Sequence, residues 1–293
     1  MTAALPADLD LALYLADAAD RVTLAAFRRP DLAVETKPDL TPVTDADRAA
    51  EHTIREALDV RNPDDAVVGE EFGTTGAGDR RWIVDPIDGT KNFVRGIPVW
   101  ATLIALEDAG QLTVGVVSAP ALGRRWWAGK GLGAFACDIP SRIAGAPGPV
   151  GGVAVAGGGE RSPSQGPATK RRGTPISVSR VATLADAQLS GASLDGWDER
   201  GLTTRVVDLA LRCWRDRSFG DFWSHMLVAE GACDIGLDPV ASLWDLAALQ
   251  VIVEEAGGRF TDLDGHPRAD GGSGISSNGL LHRHTLDVLA GRA

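Results

Sequence analysis

Apolar and polar positions repeat along this 293-residue chain with two distinct periods, which divide it into helical and extended stretches. Leu11, Leu15, Ala18 and Val22 follow an i, i+4, i+7, i+11 spacing, so the first segment is expected to be an amphipathic helix covering a core. A second helix is expected from about residue 44. Thr44 with Asp47 three positions later reads as a capping box, and Ala50, Ile54 and Leu58 carry an apolar stripe to the Asn62-Pro63 break, with Asp45 in the first turn. From 66 to 137 the pattern shortens to "AVVG", "WIV", "WATLIAL", "LTVGVVSA" and "RRWWAGKGLGAFA", which predict strands. "EDAGQ" between two of them predicts a hairpin, so part of the sheet is antiparallel.

Residues 138–173 are so rich in Gly, Pro and Ser that a long surface loop without chemistry is expected there. Beyond it come a strand-like "PISVS", a helix over about 222–231, and "SLWDLAALQVIVEEAGG", a helix with Asp245 at its start and Gly257-Gly258 as its stop. Strands and helices in mixed order predict an α/β fold of sheets covered by helices.

The formal net charge of -11 provides no basic footprint for nucleic acid or an anionic membrane surface, so neither is an expected partner. Cys137, Cys213 and Cys233 are widely spaced and form no C-x-x-C pair. Neither a disulfide framework nor a thiolate metal site is indicated, and a reducing cytoplasm fits. The first helix lacks a basic leader, and Asp8, Asp10, Asp17 and Asp20 interrupt it, which argues against a signal peptide or a spanning segment.

The chemistry concentrates in "WIVDPIDGTKNF", residues 82–93, where Asp85 and Asp88 follow an apolar run. Asp-Pro and Asp-Gly are also ordinary turn dipeptides. Two carboxylates at the end of a buried strand either stay solvated or share a cation, while the following Gly-Thr can open a helix whose free N–H groups attract an anion. Glu70 and Glu71 of "GEEFG" follow another apolar run; Asp245 and Asp45 could equally serve their helices as a cap and a dipole partner. Carboxylates with no His or Cys among them would suit a hard cation such as Mg2+ rather than zinc.

Four ordered blocks, "DLTPVTDAD", "GEEFG", "WIVDPIDGTKNF" and "WDLAALQVIVEEAGG", make the chain resemble the inositol monophosphatase family of Mg2+-dependent phosphate monoesterases over nearly its whole length, the 138–173 insertion apart. The resemblance implies one α-β-α-β-α sandwich over 1–293, with most metal ligands in 1–137 and Asp245 and the substrate face in 174–293. It implies that Glu70, Asp85, Asp88, Asp245 and the Ile87 carbonyl hold two Mg2+ ions, with a third sharing Glu70. It assigns Asp45 and Thr90 to orienting the attacking water, with Glu70 assisting as a base, and the Gly89–Thr90 turn to the phosphate. A homodimer is the usual state in the family.

Within that family, "GDF" at 220–222, "TKPDLTPVTDADR" and "DGTKNFVRGIPVWA" resemble the histidinol-phosphate phosphatase branch. Asp221, after Gly220, and Asp238, seven residues ahead of Asp245, would place two acids against the leaving group and favour a cationic alcohol. Asp221 could also cap the helix that follows it. Competing readings are a phosphatase for inositol phosphate or for 3'-phosphoadenosine 5'-phosphate, though no base-stacking surface is evident, and a non-catalytic binding protein, which predicts loss of a metal carboxylate or of Thr90, whereas all are present.

Overall fold

The computed structural model describes residues 4–37, 42–139 and 173–292; most of the Gly/Pro/Ser-rich stretch expected to form a loop lies outside them. The N-terminal elements are α1 (Ala4–Ala26), β1 (Val34–Thr36), β2 (Pro42–Thr44), α2 (Asp45–Arg61), β3 (Ala66–Gly69), β4 (Gly73–Thr75), β5 (Arg80–Asp88) and α3 (Thr90–Val94). Four strands follow, β6 (Ala101–Asp108), β7 (Gln111–Ala119), β8 (Arg124–Gly129) and β9 (Gly133–Asp138). After the Gly-rich stretch come β10 (Thr174–Pro175), β11 (Gln188–Gly191), α4 (Leu194–Glu199), α5 (Thr203–Arg212), β12 (Arg215–Asp216) and α6 (Asp221–Ala229). The chain closes with β13 (Ile235–Asp238), α7 (Leu243–Glu255), β14 (Arg259–Thr261), β15 (Gly274–Ser277) and α8 (His282–Leu289).

Two sheets organise these elements. The larger has the order β10-β9-β8-β7-β6-β5-β3-β4 and is antiparallel except where β3 lies parallel to β5; the smaller has the order β12-β11-β13-β15-β14. Helices α1 and α2 cover one face of the large sheet, α6 and α7 fill the space between the sheets, and α4, α5 and α8 close the far side. The result is the expected α-β-α-β-α sandwich.

The strand pattern follows from burial on both faces. In β6, Leu103 and Ala105 join the cluster under α6 and α7, while Ile104 and Leu106 join the cluster under α1, so the run is apolar throughout. Gly115 of β7 lets α7 approach: a Cβ there would lie 2.5 Å from the Ala248 carbonyl oxygen. Two of the aspartates that interrupt the first helix, Asp17 and Asp20, serve the core. Buried Arg125 of β8 pairs with Asp17 at 2.8 Å and Asp20 at 2.5 Å, and its Nε donates to Ser118, which fastens α1 to the sheet.

"PISVS" is less of a strand than its pattern predicts. Thr174 and Pro175 pair with β9 and the Ile176 N–H still reaches the Ala134 carbonyl of that strand at 3.0 Å, but Val178 donates its N–H to the Ala256 carbonyl at the end of α7. The helix expected over 222–231 runs from Asp221 to Ala229. Among the described residues, no helix is long and apolar enough to cross a membrane, and the three cysteines are free.

Candidate active site

Strand β5 and helix α7 bring the acidic motifs together. Alternation along β5 turns Ile83 and Asp85 towards the α7 layer, and Ser242 caps α7 so that Asp245 stands in its first turn. One carboxylate oxygen from each of Asp85, Asp88 and Asp245 lies within 4.8 Å of the others. Asp245 serves two purposes: Oδ2 accepts the Ser242 N–H at 2.6 Å as the far half of a capping box, and the residue also lines the cleft. The N-cap itself is Ser242, not Asp245.

These residues wall a cleft of about 470 Å³ that also includes Glu70, the Gly89–Thr90 turn, Asp221, Asp238 and Trp244. Gly89 has φ +83°, and a Cβ there would press on the Val99 carbonyl at 3.0 Å and on Asp221 Oδ2 at 3.2 Å. Asp88 Oδ2 accepts the Phe222 N–H at 2.8 Å, and Asn92 Nδ2 donates to Asp221 Oδ2 at 2.8 Å, so the turn after β5 is stitched to the start of α6. Asp221 begins that helix at φ +47°; the helix cap is Gly220, which does not line the cleft.

The expected pairing of Asp45 with Thr90 does not form. Asp45 turns outward to Arg29, with its side chain 44% exposed, and does not reach Thr90. Asp47 stands beside Thr90 instead. Its Oδ2 accepts the Thr44 N–H at 2.9 Å, and its Oδ1 lies 3.3 Å from Thr90 Oγ1, which is also 3.0 Å from the Ile87 carbonyl. The reason is positional. The third residue of a capping box folds back over the helix mouth, which here opens on the cleft, whereas the first residue of the same helix projects sideways. "TDAD" offered both aspartates, and the box was the signal that could have distinguished them.

Lys37 is the other residue that sequence patterns left without a role. Its Nζ lies 2.7 Å from an oxygen of both Glu70 and Glu71. Burial opposes its charge, yet the bonds to the two glutamates more than offset that and raise its pKa. Glu71 faces this ammonium rather than the cleft lining, and its N–H is held by buried Glu51 at 2.7 Å.

The electrostatics describe a site short of positive charge. Burial pushes Asp85 and Asp88 well above the usual carboxylate range, and neighbouring acids add to it: Glu70, Asp88 and Asp245 around Asp85, Asp221 and Asp245 around Asp88. Burial likewise lifts Asp245 to about 7, with Glu70 and Asp238 adding, and both Asp47 and Asp221 to about 6. Clustered like charges of this kind are relieved by a shared cation, and Lys37 already places one beside Glu70. An all-oxygen donor set fits a hard divalent ion.

With fold and cleft described, the class follows: residues 8–290 match the model of the inositol monophosphatase family, and the chain belongs to that family. Two curated relatives are more specific. The chain is similar to the histidinol-phosphatase of Mycobacterium tuberculosis, 53% identical with 96% of this chain and 97% of that protein covered. It is also similar to the histidinol-phosphatase of Streptomyces coelicolor, 49% identical with 96% of each covered. Among solved structures, the Thermotoga maritima IMPase superposes with a TM-score of 0.76 at 29% identity, covering 97% of both chains.

Proposed function

We propose that this protein hydrolyses L-histidinol phosphate to L-histidinol and phosphate, with Mg2+, in the cytoplasm and as a homodimer. The observation that carries the substrate is a second acidic pair: Asp221 and Asp238 share the cleft with Asp85, Asp88 and Asp245. The first group suits metal ions and a phosphate, while the second suits an alcohol bearing an ammonium and an imidazole. The names of the two relatives similar over nearly their whole length support the same substrate.

Glu70, Asp85, Asp88, Asp245 and the Ile87 carbonyl would hold two ions, with a third sharing Glu70. Bound there, they supply positive charge for the phosphate and the departing ester oxygen and make water more acidic. Backbone N–H groups of Gly89 and Thr90 orient the phosphate. Thr90 Oγ1, next to Asp47, would hold the attacking water and Asp47, lifted to about 6, would take up its proton with Glu70 assisting, while the P–O bond to the alcohol breaks and the departing oxygen takes a proton from solvent to give L-histidinol. Asp221 and Asp238 hold the alcohol so that the ester bond lies in line.

The test is phosphate release from L-histidinol phosphate and inositol 1-phosphate, each with and without Mg2+. Mg2+-dependent preference for the first supports the proposal. Preference for inositol phosphate replaces the substrate and keeps the metal chemistry, and release from neither overturns both esters and turns the test to 3'-phosphoadenosine 5'-phosphate and, failing that, to a binding role. Light scattering at twice the 30.7 kDa chain mass would support the dimer.

A further inference from the structure

Behind the substrate wall lies a buried polar group that the chemistry above does not use. His225, on α6, is fully buried, with its ring 5.9 Å from that of Phe260. Its Nδ1 lies 2.8 Å from Ser276 Oγ of β15, itself fully buried. Its Nε2 has no hydrogen-bond partner among the described residues and stands 3.5 Å from Asp238 Oδ2. The neighbouring strand makes room for this arrangement. A Cβ on Gly236 would come 2.5 Å from Ser276 Oγ and 3.4 Å from His225 Nδ1.

We infer that His225 is a positioning residue for substrate recognition, in which Nε2–H anchors Asp238 from behind and keeps its carboxylate directed at the substrate's cationic group. A serine hydroxyl that donates to Nδ1 leaves the proton of a neutral imidazole on Nε2. A modest turn of the Asp238 side chain closes 3.5 Å to an ordinary hydrogen bond. The need for such an anchor is electrostatic: Asp238 faces Asp88, Asp221 and Asp245, and like-charge repulsion would swing it out of the cleft. A neutral donor holds it without cancelling the charge the substrate needs. This inference rests on the proposal that the alcohol is cationic.

The experiment compares KM and kcat for L-histidinol phosphate and for glycerol 2-phosphate, a neutral alcohol's ester, in wild type, His225→Asn and His225→Gln. Asn retains a group near Ser276 and loses the donor towards Asp238; Gln extends an amide N–H to about the Nε2 position. His225→Asn is expected to raise KM for histidinol phosphate about tenfold, the effect of losing one hydrogen bond to a charged group. Its kcat should change little, its KM for glycerol 2-phosphate less than about twofold, and Gln should recover most of the loss. An equal rise for both esters, or no recovery by Gln, overturns the inference by making His225 merely structural. If wild type prefers histidinol phosphate and His225→Asn behaves like it, only this inference fails; if wild type has no preference, the substrate proposal fails and takes it along. Should the variants not fold, nitrogen NMR of histidine-labelled wild type decides: a proton on Nε2 supports the anchor, and a proton on Nδ1 overturns it.

Discussion

At the scale of single residues, two aspartates only two positions apart in the sequence have different surroundings. Asp47 is fully buried, close to Thr90 and lifted to about 6, whereas Asp45 is paired at the surface with Arg29. Asp47→Asn is therefore expected to lower kcat by about 10²–10⁴, the range for a lost general base, while Asp45→Asn stays within about twofold of wild type. Steady-state kinetics on the two variants checks this, and equal losses would restore Asp45 to the site. Asp221 lines the cleft, and the proposed function gives it the substrate's cationic group. Asp221→Ala should raise KM for histidinol phosphate at least about tenfold more than for glycerol 2-phosphate, because a charge-assisted contact exists only with the cationic alcohol. Equal effects on the two esters would reject cation recognition.

At the scale of elements, the site is a junction between the end of β5 and the start of α7, and its geometry depends on how closely α7 lies against the large sheet. Gly115 sets that distance, with the Ala248 carbonyl 2.5 Å from where a Cβ would be. Gly115→Ala is expected to cost about 1–3 kcal/mol in stability, typical of overpacking a filled core. Displacing α7 also moves Asp245 from Asp85 and Asp88, so the apparent Mg2+ affinity should weaken in the same variant. Denaturant melts and an Mg2+ titration of activity would show both effects, and a wild-type melt would mean the layers can separate without loss. The elements themselves were mostly legible from sequence, since the capping box at Thr44 and the Gly257-Gly258 stop are local. "PISVS" was not, because its β-favouring residues pack beside β9 and α7 without continuing the ladder, and alternation cannot report a missing partner.

At the scale of the whole molecule, the two halves of the chain contribute acids to one cleft, so proton and metal binding compete. Asp245 is lifted to about 7, and Asp85 and Asp88 are raised as well. For carboxyls whose folded pKa lies above the unfolded value, the contribution to metal-free stability is complete below about pH 4 and is lost as pH rises through the folded pKa. Divalent ions bind the ionised form. The rise in melting temperature caused by a fixed Mg2+ concentration should therefore be larger at pH 8 than at pH 5.5, and Asp245→Asn should shrink that difference. Scanning calorimetry with and without Mg2+ checks this, and buried His282, lowered to about 4, affects both forms alike and cancels. A gain independent of pH would mean that the acids are already ionised without metal.

What the sequence by itself determined are the features that depend on neighbours along the chain: the helix and strand periods, the caps, and the acidic motifs at strand and helix starts, with the layered α/β class they imply. Tertiary structure alone decided which acids meet. That Asp47 rather than Asp45 faces Thr90, that Lys37 reaches Glu70, and that His225 stands behind Asp238 all depend on side-chain direction and on contacts between segments far apart in the chain. Periodicity records which face a residue occupies, not which distant residue occupies the space opposite it.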